Sequence, residues 1–286
     1  MPTLKSLIRT GELLVAPGIF DGISARLANQ FGFKALYMTG YGTVASHLGL
    51  PDAGLASYAD MVGRVKMLSG TVSAPLIADG DTGFGGLLNV QHTVRGYEDA
   101  GAAAIQIEDQ EVPKKCGHTP DRRVIPLDDM TAKIKVAAES RDSSDFLIVA
   151  RTDSRTKHGL DEALHRAEAF VNAGADILFV EAPESIEEME RIGKTFDAPL
   201  LVNVVEGGKT PVLSRQEYID LGYSVAIYPA AGFLAMGAAL KSVYGQLSET
   251  GSSIGAGAPL EEFMTFSRAM GFEEVWDFER EHATEI

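Results

Sequence analysis

Eight short apolar runs alternate along the chain with longer segments of helical spacing, and nearly every run ends on a polar or ionisable residue. The runs are 13–19 (LLVAPGI), 35–39 (ALYMT), 75–79 (PLIAD), 103–108 (AAIQIE), 146–151 (FLIVAR), 177–181 (ILFVE), 199–203 (PLLVN) and 224–228 (SVAIY). Runs this short, rich in Val, Ile and Leu and bounded by turn residues, read as strands buried on both faces. Helical patterns fall between them, at Leu87 to Ala100, Leu127 to Ser140, Asp161 to Ala173 and Ser214 to Leu221. Gly101, Gly174 and Gly222 stand where a helix closes before the next strand. Eight strand–helix units predict an α/β fold, a parallel eight-stranded β/α barrel of the TIM type, with a doubly wound open sheet as runner-up. The run ends favour the barrel. Thr39, Asp79, Asp81, Glu108, Arg151, Asp153, Glu181 and Asn203 would meet at one barrel mouth, whereas an open sheet spreads them along an edge.

The barrel is expected to span 1–250. Ala231 to Leu247 reads as a small-residue apolar helix, and Ser248 to Gly257 as a Gly- and Ser-rich loop. The rest, Leu260 to Ile286, is acidic and amphipathic and carries Phe263, Phe266, Phe272, Trp276 and Phe278. A closed barrel leaves little core for those rings. The tail, 251–286, must pack on its own chain or dock on a neighbouring subunit.

Of 286 residues, 45% are hydrophobic and 23% charged, the composition of a folded globular chain. No apolar run approaches the ~18 residues of a membrane span, and Met1 to Lys5 does not open a signal peptide. A single cysteine excludes an intrachain disulfide. These features predict a cytoplasmic protein with no membrane partner. Forty acidic against 25 basic residues give a net charge of −15, which argues against nucleic acid but not against a small anion in a locally basic pocket.

Asp79-Gly80-Asp81-Thr82-Gly83 is the first chemical signal. Carboxylates at i and i+2 leave an extended backbone on one side. At a strand end they can hold a hard cation, and Mg²⁺ suits so sparse a set because it keeps its waters. Glu108, at the next strand end, joins them. The opening also resembles a calcium loop, but its twelfth position is Val90. The bland alternative is that both aspartates cap the following loop. Gly83, Gly85 and Gly86 lack the spacing of a phosphate cradle and are read as room for close backbone approach.

Lys114-Lys115-Cys116-Gly117-His118 follows the fourth strand. In a polar, basic, Gly-containing loop a lone cysteine is not a core residue. Flanking Lys and His favour a thiol that moves protons near neutrality, and the same cations suit an anionic substrate. A thiol nucleophile with His as base is the competing role, and a solvated basic loop the bland one. Arg151 can fork onto a carboxylate, with Glu181 orienting it or joining the metal's surroundings. A structural ion pair bracing the mouth is the alternative.

These residues together resemble the isocitrate lyase and phosphoenolpyruvate mutase superfamily. The matching segments run from Tyr37-Met38-Thr39-Gly40 through Leu50-Pro51-Asp52, Asp79 to Gly83, Glu108-Asp109-Gln110, Lys114 to His118 and Ala150 to Asp153 as far as Asn203. The resemblance implies a barrel whose C-terminal helix is exchanged between subunits, a homotetramer built from dimers, and Mg²⁺ or Mn²⁺ at Asp79, Asp81 and Glu108. It implies catalytic roles for Cys116, Lys115, His118, Arg151, Glu181 and Tyr37. Substrate contacts are expected from Tyr37, Thr39, Gly40, Tyr41, Asp52, Gly117, His118, Arg151, Asn203 and Pro229. Cys116 points to the lyase branch. There a 2-hydroxy acid is cleaved to a 2-oxo acid and an enolate, which the thiol protonates. Asn203-Val204-Val205-Glu206-Gly207 lacks the serines of tricarboxylate isocitrate lyases, and the run from Val204 to Pro211 resembles that of the dicarboxylate lyases, which implies a 2-alkylmalate-type dicarboxylate such as 2,3-dimethylmalate. The alternatives are 2-methylisocitrate lyase, an oxaloacetate hydrolase or decarboxylase, a phosphonate-handling member, and a non-catalytic barrel that only binds.

Overall fold

The structure, a computed structural model, describes residues 2–9, 11–117 and 122–283. The strands are β1 (Leu14–Ile19), β2 (Leu36–Met38), β3 (Leu76–Asp79), β4 (Ala104–Glu108), β5 (Leu147–Thr152), β6 (Ile177–Val180), β7 (Leu200–Asn203) and β8 (Tyr223–Tyr228). Each lies within two residues of its apolar run. They form a closed, all-parallel barrel in sequence order, β8 returning to β1 through pairs such as Leu14 with Val225. The barrel expectation therefore holds and the open sheet is excluded.

Helices interleave with the strands: α1 (Leu4–Ile8), α2 (Gly22–Gln30), α3 (Gly40–Leu48), α4 (Tyr58–Thr71), α5 (Leu87–Asp99), α6 (Leu127–Ser140), α7 (Arg155–His158), α8 (Leu160–Asn172), α9 (Ile186–Thr195) and α10 (Arg215–Asp220). Their starts are chemically marked. Asp21, Ser57 and Ser214 each accept from the third helical N–H in a reciprocal capping box. Three more follow: α11 (Ala231–Thr250), α12 (Phe263–Ala269) and α13 (Phe272–His282).

Strand alternation divides the core in two. One row, including Leu14, Ala16, Tyr37, Ile77, Ala104, Leu147, Val149, Ile177, Phe179, Leu201, Val225 and Ile227, fills the barrel interior, with Leu4 and Ile8 of α1 in the same cluster. The other, including Met38, Ala78, Ile105, Ile148, Leu178 and Val202, packs against the helices. The interior row, continued by steps of two, leads to the mouth. Tyr37 leads to Thr39, Ile77 to Asp79, Ala104 to Gln106 and Glu108, Val149 to Arg151, Phe179 to Glu181, and Leu201 to Asn203. The same periodicity that fills the barrel therefore aims these polar groups into its C-terminal end.

The chain divides into two compact units, Met1–Gly232 and Phe233–Ile286. The barrel belongs to the first. Among the described residues, no helix is long and apolar enough to cross a membrane.

Candidate active site

Asp79 ends β3, and its Oδ1 accepts from the Asp81 N–H (3.0 Å) and from Gln106 Nε2 (3.3 Å). That turn puts Asp81 at φ 47°, a left-handed conformation that aspartate tolerates better than most residues. Gly40 crosses directly over Asp79. A Cβ there would sit well inside van der Waals contact with Asp79 Oδ2. On the next strand Glu108 is buried, and its Oε1 has no hydrogen-bond partner. Burial raises all three carboxyls: Asp79 and Glu108 upward, Asp81 to about 6. Asp52 stands beside them. Four carboxylates here face two cations, Lys114 and Arg151.

Lys114, not Lys115, occupies the cluster. Its Nζ lies 2.5 Å from Asp52 Oδ1 and 2.5 Å from Asp81 Oδ1. Burial opposes its charge, but Asp81, Glu108, Asp79 and Asp52 outweigh it and hold the ammonium well above the ordinary lysine range. Lys115 is exposed, and its backbone is tied at both ends to the Gln110 side chain at 2.9 Å. Neighbouring residues of an extended segment face opposite ways, so one lysine is buried and the next exposed.

Two residues on, the Cys116 N–H donates to the Asp52 carbonyl (3.2 Å) and the residue is half-buried. Gly117 is buried against Arg151 and Glu181, where any Cβ would overlap the Arg151 guanidinium. His118 lies outside the described residues. So the loop bridges two charged groups: Lys114 binds the carboxylates, Gly117 covers the Arg151–Glu181 pair, and Cys116 lies between.

Arg151 stacks over Phe179 with 5.0 Å to the ring centroid. Its terminal nitrogens lie 3.3 Å from Glu181 Oε2 and 3.4 Å from Glu108 Oε2. Burial disfavours its charge, but Asp153, Glu181 and Glu108 hold it fully protonated. Asn203 Nδ2 donates to both Glu181 oxygens, at 3.2 and 3.4 Å. Tyr37 is buried and donates to Gln106 Oε1 (2.9 Å); burial first, then Asp79, keeps its phenol protonated. Thr39 is buried and caps α3. Tyr41 is 41% exposed, so the structure does not bury it in the mouth with the others. Pro229 follows β8, with its backbone against Gly18.

Gln106 was missed at the sequence level because it sits inside an apolar run. The signal was available: a polar residue on the interior row of a buried strand.

Among the described residues no three His, Cys, Asp or Glu side chains converge as a ready-made metal cage. The set fits a sparsely ligated hard cation instead. It has surplus buried negative charge, an orphaned Glu108 oxygen and oxygen donors alone, and a Mg²⁺ ion completes its shell with water and substrate.

The sequence matches the phosphoenolpyruvate phosphomutase family over residues 4–248. It is 44% identical to 2,3-dimethylmalate lyase of Eubacterium barkeri, over 98% of this chain and 97% of that one. The chain belongs to the phosphoenolpyruvate mutase/isocitrate lyase superfamily. It is an enzyme of the lyase branch. Solved superfamily structures superpose on its whole length. An oxaloacetate acetylhydrolase in complex with 3,3-difluorooxalacetate gives a TM-score of 0.93 at 34% identity, covering 99% of this chain and 97% of that one. A phosphonopyruvate hydrolase in complex with oxalate and Mg²⁺ gives 0.87 at 27% identity, covering 98% of each.

Proposed function

We propose that this superfamily member cleaves a 2-hydroxy dicarboxylate of the 2-alkylmalate type, such as 2,3-dimethylmalate, in a divalent-metal-dependent retro-aldol step. The products are a 2-oxo acid and a carboxylic acid. The observation that carries the reading is the three-residue bridge: Cys116 lies between a lysine bound to the metal-type carboxylates and a glycine packed on Arg151. That arrangement supports a thiol facing a substrate held at both ends.

Asp79, Asp81 and Glu108 would hold Mg²⁺ or Mn²⁺, directly or through water. The ion supplies Lewis-acid polarisation of the hydroxyl and carboxylate that become the oxo acid. Arg151 takes a carboxylate of the substrate in its fork. Glu181, itself held by Asn203, supplies a counter-charge to the arginine. Lys114 balances the charge of Asp52 and Asp81, and Cys116 delivers a proton to the enolate carbon as the second product forms. Tyr37 is held as a protonated donor to Gln106, which suits orientation of Asp79 rather than proton abstraction.

The whole-length match to the Eubacterium barkeri lyase favours a dicarboxylate. The structural likeness to oxaloacetate acetylhydrolase supports a second reading, hydrolysis of oxaloacetate, in which water adds to the C2 carbonyl and the C2–C3 bond of the hydrate then breaks to give oxalate and acetate. Purified protein is incubated with Mg²⁺ and, in turn, 2-alkylmalates, methylisocitrate, isocitrate and oxaloacetate, and 2-oxo acid or oxalate release is followed. Release of 2-oxo acid from a 2-alkylmalate, abolished by chelator and restored by Mg²⁺ or Mn²⁺, is the expected result. Oxalate release from oxaloacetate alone would establish the second reading. Full turnover in excess chelator, with metal absence confirmed by elemental analysis, would remove the metal from the mechanism.

We further propose that the protein is a homotetramer in which the 251–286 tail docks on a neighbouring subunit. In the unit Phe233–Ile286 only Ser267 is buried among the described residues, while Phe263, Tyr244, Leu260 and Phe278 are more than 60% exposed.

A further inference from the structure

Arg151 must present a guanidinium at a fixed angle if it is to receive a substrate carboxylate, and its contacts with Glu108 and Glu181 are too long to set that angle. We infer that Asp153 is the positioning residue for Arg151, and that Asp109 holds Asp153 in place. The inference rests on the reading of Arg151 as the carboxylate receptor.

Arg151 is the fifth residue of β5, and Asp153 lies two positions on, so extended backbone puts both side chains on the same side. Asp153 takes the inner edge of the guanidinium in a two-pronged pair: Nε to Oδ2 at 2.9 Å and one terminal nitrogen to Oδ1 at 2.9 Å. The other terminal nitrogen has no contact shorter than 3.4 Å in the described residues, to Glu108. A fork held by one edge leaves the opposite corner for a ligand.

Asp153 is itself buried, 2% exposed, and so must be compensated. Arg122 supplies a second cation on Oδ1 and donates to Thr156 Oγ1 at 2.7 Å. The backbone of Asp153 is fixed from the neighbouring strand. Its N–H donates to Asp109 Oδ1 (2.8 Å), while Thr152 Oγ1 donates to Asp109 Oδ2 (2.7 Å). Asp109 is fully buried, and Arg166 of α8 reaches the same Oδ2 at 3.2 Å. Helix α8, the end of β4 and the end of β5 are thereby joined through one carboxylate, and the last link in the chain is the arginine at the mouth. A structural brace would need none of this directionality. The fork on one edge of Arg151 is what makes it a positioning device.

The test is Asp153→Asn, which keeps the size but places an amide NH₂ against one guanidinium nitrogen. Three readouts are compared with wild type: kcat and KM on the substrate found above, affinity for oxalate in the presence of Mn²⁺, and affinity for Mn²⁺ alone by the free-ion spin-resonance signal. We expect KM and the oxalate dissociation constant to rise together by on the order of tenfold or more, the scale of a lost charged hydrogen bond. Mn²⁺ affinity should stay close to wild type, and kcat should fall less than KM rises. A folded Asp153→Asn with wild-type KM and oxalate affinity overturns the inference. If that variant does not fold, Asp109→Asn carries the same test through the Thr152 and Asp153 backbone bonds, with the same sign. A crystal structure of the folded variant gives a ligand-free check. Arg151 unmoved overturns the inference even if wild type binds no oxalate, a result that would count against the proposed function alone.

Discussion

At Gly40 one hydrogen atom decides whether Asp79 can face the mouth. Gly40→Ala adds a carbon into the Asp79 carboxylate, and it does so in the first turn of α3, where alanine is the better helix former. Helix stability and site geometry therefore respond in opposite directions. The expected outcome is a folded protein with weaker Mn²⁺ binding and turnover reduced on the order of a hundredfold, the scale of a misplaced catalytic group. Thermal melting and metal titration check it together; unchanged metal affinity would show that Asp79 accommodates the carbon. Cys116→Ser addresses the other half of the site. A general acid contributes about a hundredfold or more, so turnover should fall by that much while KM and oxalate affinity hold, because Arg151 and the cation that Asp79, Asp81 and Glu108 would hold are left in place. Wild-type turnover from the serine variant would transfer the proton to another donor. Residue-level legibility follows the same line. Asp79, Glu108, Arg151, Glu181 and Asn203 were readable as run-end residues because strand alternation carries the interior row to the mouth. Lys114 and Lys115 are chemically identical neighbours, and only the local backbone decides which is buried. Arg166 lies 57 residues from Asp109, a pairing no local pattern announces.

At the scale of elements, the strands were legible because each is buried on both faces and hence continuously apolar. Helices α5, α6, α8, α10 and α11 were legible from their apolar spacing; Leu127–Ser140 matches its expected range. Helices α3 and α4 went unread because Gly-rich and mixed segments give a weak 3.6-residue signal. Helix α9 shows how glycine sets element spacing. Gly193 packs its Cα against the carbonyl of Leu221, at the turn between α10 and β8, and a Cβ there would overlap that oxygen. Backbone cannot swing aside as a side chain can, so Gly193→Ala should destabilise the fold by about 1–3 kcal/mol, the ordinary range for overpacking. Urea denaturation measures it. Because α9 does not contribute a side chain to the mouth, KM at low temperature should be unchanged. A loss of under about 0.5 kcal/mol would mean that α9 shifts freely against its neighbour.

For the whole molecule, the two units differ in what they bury. The first has two nested apolar layers, inside the barrel and between barrel and helices. In the second, α11 and α13 have no buried residue, and Phe263, Ile254, Leu260 and Phe278 are 62–85% exposed. A chain carrying −15 charges stays soluble with scattered apolar residues, but so many large ones within one short unit form a surface that water does not tolerate well. A second copy is the occupant the family resemblance implies, and an exchanged helix makes the contact reciprocal: each subunit gives a tail and receives one. On the proposal of an exchanged tail, deleting 260–286 would remove the donated surface and uncover the receiving one on the partner. The expected outcome in sedimentation is loss of the tetramer, with smaller species or aggregates, and turnover falling with assembly. A point variant separates assembly from folding: Phe263→Glu, at a residue 78% exposed, should leave the circular dichroism of the barrel unchanged and still shift the sedimentation profile. Truncated and full-length proteins sedimenting alike would show that the tail serves its own chain, and its aromatic face would then need a partner other than a second copy.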